Sequence, residues 1–329
     1  MNIAIVILNW NGKALLEQFL PSVIKYSSEA TIYLADNAST DSSIKFVETH
    51  FPSIKIIKNK ENGGYAKGYN DALKQIDADI YCLLNSDVEV TENWIQPVVE
   101  LFNIEKNTVI VQPKILDYKK KSFFEYAGAA GGFIDKYGYP FCRGRIFNTI
   151  EKDYGQYNDI TEIFWASGAC LFVRSTVFKE LNGFDEHFFA HMEEIDLCWR
   201  AKNRGYTVQY VGHSTVFHVG GATLSNSNPK KTFLNFRNSL FALTKNASGP
   251  IFSKLFTRLV LDGIAAFKFL WEFKPRHIAA IIKAHFSFYF HLKRLLKQRR
   301  AQKNKINYYQ KPSIVVDYFI KRNCYYKIS

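Results

Sequence analysis

At 329 residues, 47% of them hydrophobic and 16% aromatic, the chain has material for one large α/β domain with an appendage and a sizeable core. Its five cysteines (Cys82, Cys142, Cys170, Cys198, Cys324) have neither zinc nor redox spacing, which sets those site classes aside and fits a reducing cytosol. The net charge of +13 is lopsided: residues 1–220 hold 22 Lys and Arg against 27 Asp and Glu, whereas residues 221–329 hold 21 against 3, so an anionic surface, lipid or nucleic acid, is expected to meet the C-terminal third.

Residues 3–8 are a continuous apolar, β-branched run, as for a central parallel strand. Met1 leads into it without a basic leader or cleavage site, so no secretory signal is expected. Asn9-Trp10-Asn11-Gly12 end the run with turn residues. Residues 13–26 place Leu15, Leu16, Phe19, Leu20, Val23 and Ile24 at helical spacing. Residues 31–35 form a second strand, stopped by Asp36-Asn37-Ala38-Ser39-Thr40-Asp41, and residues 42–51 a helix. A third strand at 54–57 precedes Asn62-Gly63-Gly64-Tyr65-Ala66-Lys67-Gly68-Tyr69-Asn70, and a helix is expected over about 70–75. Ile80-Tyr81-Cys82-Leu83-Leu84 then reads as a buried strand that stops abruptly in Asn85-Ser86-Asp87. Alternation at this spacing predicts a parallel sheet with right-handed crossovers.

Three of these strands end in polar turns, at Asn9–Asn11, Asp36–Asn37 and Asn85–Asp87. On one edge of a parallel sheet such ends form a nucleotide crevice; singly, each reads equally as a capped turn. Asp87 offers hard oxygens suited to Mg2+ or Mn2+ with a diphosphate completing the shell, and Asn85 could add a carbonyl or bind through water. The Asn62-Gly63-Gly64 turn either relieves backbone strain or lets the backbone approach a phosphate. It matches neither G-x-G-x-x-G nor the P-loop, which weakens dinucleotide and NTPase readings.

Further on, residues 94–102 read as helix and 109–111 as strand, Lys119-Lys120-Lys121 as a solvated turn, and 128–132 and 137–147 as irregular. Trp165-Ala166-Ser167-Gly168 lead into a strand ending near Val173. Glu193-Glu194-Ile195-Asp196 crowd acids at the start of a helix, either favoured by its dipole or raising one another's pKa as suits a proton acceptor. Residues 207–211 and 214–219 read as two short strands, with His218 at the end of the second. Residues 230–245 are helical and aromatic-rich, and Arg237-Asn238 within them receive no role. Residues 255–271 and 277–296 are strongly apolar yet interrupted by Asp262, Lys268 and Lys283, with Lys293-Arg294, Lys297 and Arg299-Arg300 following. No clean spanning run exists. The pattern describes either an interfacial membrane helix or a helical subdomain packed on the core or on a second subunit.

In order, Ile5 to Gly12, Asp36 to Ser42, Asn62 to Asn70, Leu84 to Val88 and the block from Trp165 to Gly221 make the chain resemble glycosyltransferase family 2, over about residues 1–240 and most closely in its rhamnosyltransferase-like branch. The resemblance implies a GT-A fold, an α/β nucleotide-sugar domain with a Rossmann-like mixed sheet over 1–240, and a basic, mainly helical extension over 241–329. It implies a metal-dependent, inverting transfer from a nucleotide-diphosphate donor, dTDP-rhamnose first and UDP-sugars next, to a glycan hydroxyl. The acceptor would be a glycan, polyprenyl-diphosphate-linked, in assembly of O-antigen or capsule on the inner face of the cell membrane. Asp87 and His218 would hold Mg2+ or Mn2+. Asn9, Asn11, Asp36, Asn62, Gly64, Lys67 and Asn85 would meet the nucleotide sugar, and Trp165, Ser167 and Gly168 the acceptor. The family's Glu-Asp-x-Asp motif is written here Glu193-Glu194-Ile195-Asp196, which puts the base on Glu194, a Glu where Asp is usual. Asn85 likewise replaces the first Asp of the Asp-x-Asp motif. The competing readings are a non-catalytic membrane- or nucleic-acid-binding protein using the basic tail, and a nucleotidyltransferase, which would need a Gly-rich, basic loop after the first strand.

Overall fold

The computed structural model describes residues 1–220, 228–301 and 306–326; Gly221, at the end of the last motif block, lies outside them. In chain order the first half contains β1 (Ile3–Asn9), α1 (Lys13–Lys25), β2 (Thr31–Asp36), α2 (Ser43–His50), β3 (Lys55–Lys58), α3 (Gly64–Leu73), β4 (Ile80–Asn85), β5 (Val88–Val90), α4 (Gln96–Ile104) and β6 (Thr108–Asp117). Four short strands follow, β7 (Gly132–Ile134), β8 (Pro140–Cys142), β9 (Arg145–Ile146) and β10 (Thr149–Ile150). Then come β11 (Ile160–Glu162), β12 (Cys170–Arg174), α5 (Ser175–Glu180), α6 (Glu193–Asn203), β13 (Thr207–His218), α7 (Pro229–Asn246), α8 (Ile251–Trp271) and α9 (Pro275–Ala301).

Nine strands form one mixed sheet in the order β11-β13-β6-β12-β4-β1-β2-β3, with β5 on β13. The β3, β2, β1 and β4 strands are parallel, as expected, and register sets Asn9 beside Asp36 and Leu8 beside Asn85, so the polar strand ends lie abreast. The antiparallel β12 joins this half to β6 and β13. Inward runs such as Ile5, Val6, Ile7 and Cys82, Leu83, Leu84 are fully or nearly fully buried, which fits strands covered on both faces.

Several expected elements differ. Helix α3 begins at Gly64, six residues before position 70. The two Gly residues look like a break, yet Gly64 takes the left-handed φ of +74° that starts the helix. Gly68 lies inside α3 because a Cβ there would meet the Asn37 amide at 2.5 Å. The two strands expected over 207–219 are one, β13, with a register shift against β6 between Val211 and Thr215. The segment expected to be irregular holds the small β10-β9-β8-β7 sheet, whose strands are too short to show a period. Finally, the expected boundary at position 240 falls inside α7, which packs on both α6 and α9.

Candidate active site

The strand ends are built first. Asn9 is fully buried and donates from Nδ2 to Asp36 Oδ1 (2.8 Å) and Ser39 Oγ (3.1 Å), while Ser39 donates its own hydroxyl and amide to Asp36. Asn11 Oδ1 accepts the amides of Thr40 and Asp41, so the loops after β1 and β2 are laced together. Asn37, which received no role, bridges onward: it donates to Gly64 O and accepts from Asn59. Asn62 caps the Gly64 amide. Lys67 is committed to Asp71 along α3, with Glu61 3.6 Å away, rather than standing over the crevice.

Asp87 follows β4 and His218 ends β13, both buried, and pairing of β5 with β13 brings them together. Asp87 Oδ1 lies 3.2 Å from His218 Nε2, and Asn85 Nδ2 is 3.5 Å from that nitrogen. Neighbouring donors around one octahedral cation at about 2.1 Å stand about 3 Å apart, so this pair fits Mg2+ or Mn2+. On the other side of the ring, Glu125 Oε2 lies 3.4 Å from His218 Nδ1. A carboxylate behind a ligating imidazole fixes its tautomer and orientation, and nothing local to Glu125 marks it for that place. Burial alone would pull the His218 pKa down, but Asp87 and Glu125 outweigh it and push it up to about 10, so the pocket favours positive charge. Among the described residues no group of three or more His, Cys, Asp or Glu could hold a metal, so diphosphate and water must complete any shell.

The acids of α6 divide. Glu193 is buried, Glu194 half-buried, and an Oε2 atom of each is buried without a partner. Burial pushes Glu194 up to about 7 against the pull of backbone amides at the helix start; burial and the neighbouring Glu194 push Glu193 well above the usual carboxylate range. Asp196, one turn on, is fully buried and paired: it accepts from Arg200, Lys245 and Asn246. Burial opposes its charge, but Lys245 and Arg200 hold its pKa below the usual range. Asp196 therefore anchors α6 to α7.

The loop entering α6 is bent by three non-glycine residues with left-handed φ, Phe189 (65°), His191 (68°) and Met192 (73°). Such residues cost roughly 1–3 kcal/mol each and persist where surroundings hold them. Here α7 holds them: buried Asn238 donates to the carbonyls of Phe188 (3.0 Å), Ala190 (2.9 Å) and His191 (2.7 Å), and Arg237 to those of His187 and Phe188. From the same loop, Phe189 O accepts the Tyr65 amide at the start of α3, where a Cβ on Gly64 would meet it at 2.5 Å. The close backbone approach at Gly64 is thus to Phe189. Lys231 of α7 stands within electrostatic reach of both Glu125, behind His218, and His191, on the loop before α6.

The residues expected on the acceptor side sit deeper. Trp165 is buried and donates to Phe133 O at 2.8 Å, and Ser167 is buried between Gln112 and Ala127. Gly168 offers its carbonyl to Tyr65 at 2.8 Å. The polar atoms of Trp165 and Ser167 are thus engaged within the chain, which local pattern could not separate from surface contact. Among the buried side-chain atoms without a hydrogen-bond partner are Asn9 Oδ1, His191 Nε2, Glu193 Oε2 and Glu194 Oε2. Partnerless buried polar atoms require an explanation, and a ligand or ordered water is the simplest.

The family model for Glycosyl transferase family 2 matches residues 4–181. The chain is 27% identical over 220 residues to N-acetylglucosaminyl-diphospho-decaprenol L-rhamnosyltransferase of Mycobacterium tuberculosis, covering 62% of this chain and 71% of that one. Among solved structures, S. aureus TarS 1-349 in complex with UDP-GlcNAc has a TM-score of 0.55 at 14% identity, covering 100% of this chain and 94% of that one. Mannosyltransferase PcManGT from Pyrobaculum calidifontis, in complex with GDP-Man and Mn2+, has a TM-score of 0.54 at 12% identity, covering 87% and 86%. These likenesses show the GT-A fold. With the family model spanning more than half of its length, the chain belongs to glycosyl transferase family 2.

Proposed function

We propose that this glycosyltransferase inverts an anomeric centre, with Glu194 as base. The carrying observation is the buried, partnerless Oε2 of Glu194 with its pKa near neutrality, the condition under which a carboxylate can both be ionised and take a proton. Glu194 accepts the proton of an acceptor hydroxyl as that oxygen bonds to the anomeric carbon. The bond from that carbon to the donor diphosphate breaks, and the nucleoside diphosphate leaves with the electron pair. Burial keeps the Glu194 carboxyl in a low-dielectric setting, and Asn238 and Arg237 fix the loop that aims it. Asp87 and His218 would hold Mg2+ or Mn2+, whose charge would offset that of the diphosphate. The laced Asn9–Asp36–Ser39 cluster would receive the nucleoside end.

The donor class, a nucleotide sugar, follows from the family. For the finer identity, dTDP-rhamnose is our first choice and UDP-sugars the next, supported by the rhamnosyltransferase among the relatives. The name of that relative also supports a polyprenyl-diphosphate-linked glycan as acceptor, in cell-surface polysaccharide assembly. Thermal shift of the purified protein against a nucleotide-sugar panel, with and without Mn2+, tests this reading. One donor should stabilise wild type only with metal, and Asp87→Ala should lose that shift. No shift with any nucleotide sugar in Mn2+, or a shift that survives Asp87→Ala, would overturn the metal-assisted site.

A further inference from the structure

Helices α8 and α9 form a hairpin that is apolar on its exposed side as well as on its buried one, where Ile251, Leu255, Ile281, Ala284, Phe288 and Leu295 pack. Its inward side carries the buried Arg258–Asp262 ion pair (2.7 Å), with Tyr139 and His285 also on Asp262. Its outward side is apolar. Along α8, Phe252, Phe256, Val260, Ile264 and Phe267 recur every three or four residues, all exposed, and Phe256 and Phe267 are 71% and 74% exposed. At the turn, Trp271 and Phe273 are 87% and 92% exposed and join Leu270 and Pro275 around an open hollow of ≈ 850 Å³. Along α9 one face runs Ile282, Phe286, Phe290, then Lys293, Lys297 and Arg300, at the same three- and four-residue steps and all exposed. A water-facing surface of this kind far exceeds the scattered apolar residues of ordinary monomers.

We infer that this face of the α8–α9 hairpin is a docking surface for an anionic lipid bilayer, lying in its interface. Among the described residues no helix is long and apolar enough to cross a membrane, which leaves an in-plane helix as the geometry for a lipid partner. Charge selects the occupant. A second copy would oppose the same face across a two-fold axis, setting basic rows against each other, in a region with 21 Lys and Arg against 3 Asp and Glu. Anionic headgroups complement those rows. On α9, His291 lies 6.0 Å ring to ring from His187 on the loop that precedes α6. If the acceptor is lipid-linked, as proposed above, its head would arrive beside Glu194; only this orientation rests on that reading.

Flotation of the full chain with phosphatidylglycerol or phosphatidylcholine vesicles tests the surface without turnover. Wild type should float with phosphatidylglycerol, far less with phosphatidylcholine, and be released by salt. The quadruple variant F256S/F267S/F286S/F290S should lose about tenfold or more in partitioning with an unchanged melting temperature. K293E/K297E/R300E should lose the preference for phosphatidylglycerol. Both should keep the donor-induced thermal shift, so failure here is distinguishable from failure of the site. Wild type that stays unbound to phosphatidylglycerol vesicles would overturn the inference. So would a solution dimer by light scattering that the quadruple variant abolishes, which would give the face to a second copy.

Discussion

Two ends of one acidic motif on α6 have opposite fates. At the helix start, Glu193 and Glu194 each keep a buried oxygen without a partner, and burial raises their pKa values. One turn on, Asp196 is more deeply buried yet held ionised by Lys245 and Arg200. Residue type does not separate these cases; the partners delivered by α7 do. Burial with partners holds a carboxylate ionised, and burial without them raises its pKa. The same cluster extends to Asp185, which pairs with Lys245 and Arg294 and so ties the loop before α6 to both α7 and α9.

The largest effect should come from the reactive end. Glu194→Gln should lower kcat by about a hundred- to ten-thousand-fold, with the donor-induced thermal shift intact. Its melting temperature should rise at pH 8. The folded-state pKa of Glu194 is raised, so ionisation there opposes folding as pH climbs through about 7, and Gln removes that cost. At the anchoring end, Lys245→Met should cost stability instead, about 3 kcal/mol or more, because Asp185 and Asp196 lose a buried cation that is 3% exposed. Urea unfolding checks this, and activity per folded molecule should change little. A Lys245→Met enzyme of unchanged stability would erase the contrast. Asn238→Ala acts between the two ends. It should cost about 1–3 kcal/mol for the unpaired carbonyls and lower kcat more than donor affinity, because the loop that aims Glu194 loosens. Steady-state kinetics beside melting curves would separate the two.

Much of this arrangement was legible in the sequence. Asn9, Asp36, Asn85 and Asp87 stand at strand ends because an apolar run stops in turn chemistry, and that signal is local. Helix α6 and its acids were visible for the same reason. The missed parts depend on distant contacts. Glu125 reaches His218 across 93 residues, because β6 pairs with β13 and the loop after β6 folds back so that the Glu125 amide donates to Ile115 O. Asn238 carries no role in the sequence, because its partners are the carbonyls of Phe188, Ala190 and His191, 47–50 residues away. Gly63 and Gly64 masked the start of α3, since a helix requiring a left-handed entry and a close Phe189 carbonyl reads as a break. Trp165 and Ser167 stood in a motif block, but whether a motif residue faces ligand or core is decided by the sheet behind it.

The most direct measurement of the central claim is the pH dependence of kcat/KM for the wild-type enzyme with saturating metal. Glu193 and Glu194 titrate together, so the acid limb belongs to the pair. The account predicts a limb with an apparent pKa near 7, below which the rate falls about tenfold per pH unit as the base is protonated. A profile that stays flat down to the ordinary carboxylate range would contradict it, because the attacking hydroxyl would then be losing its proton to a group other than the partnerless acid on α6.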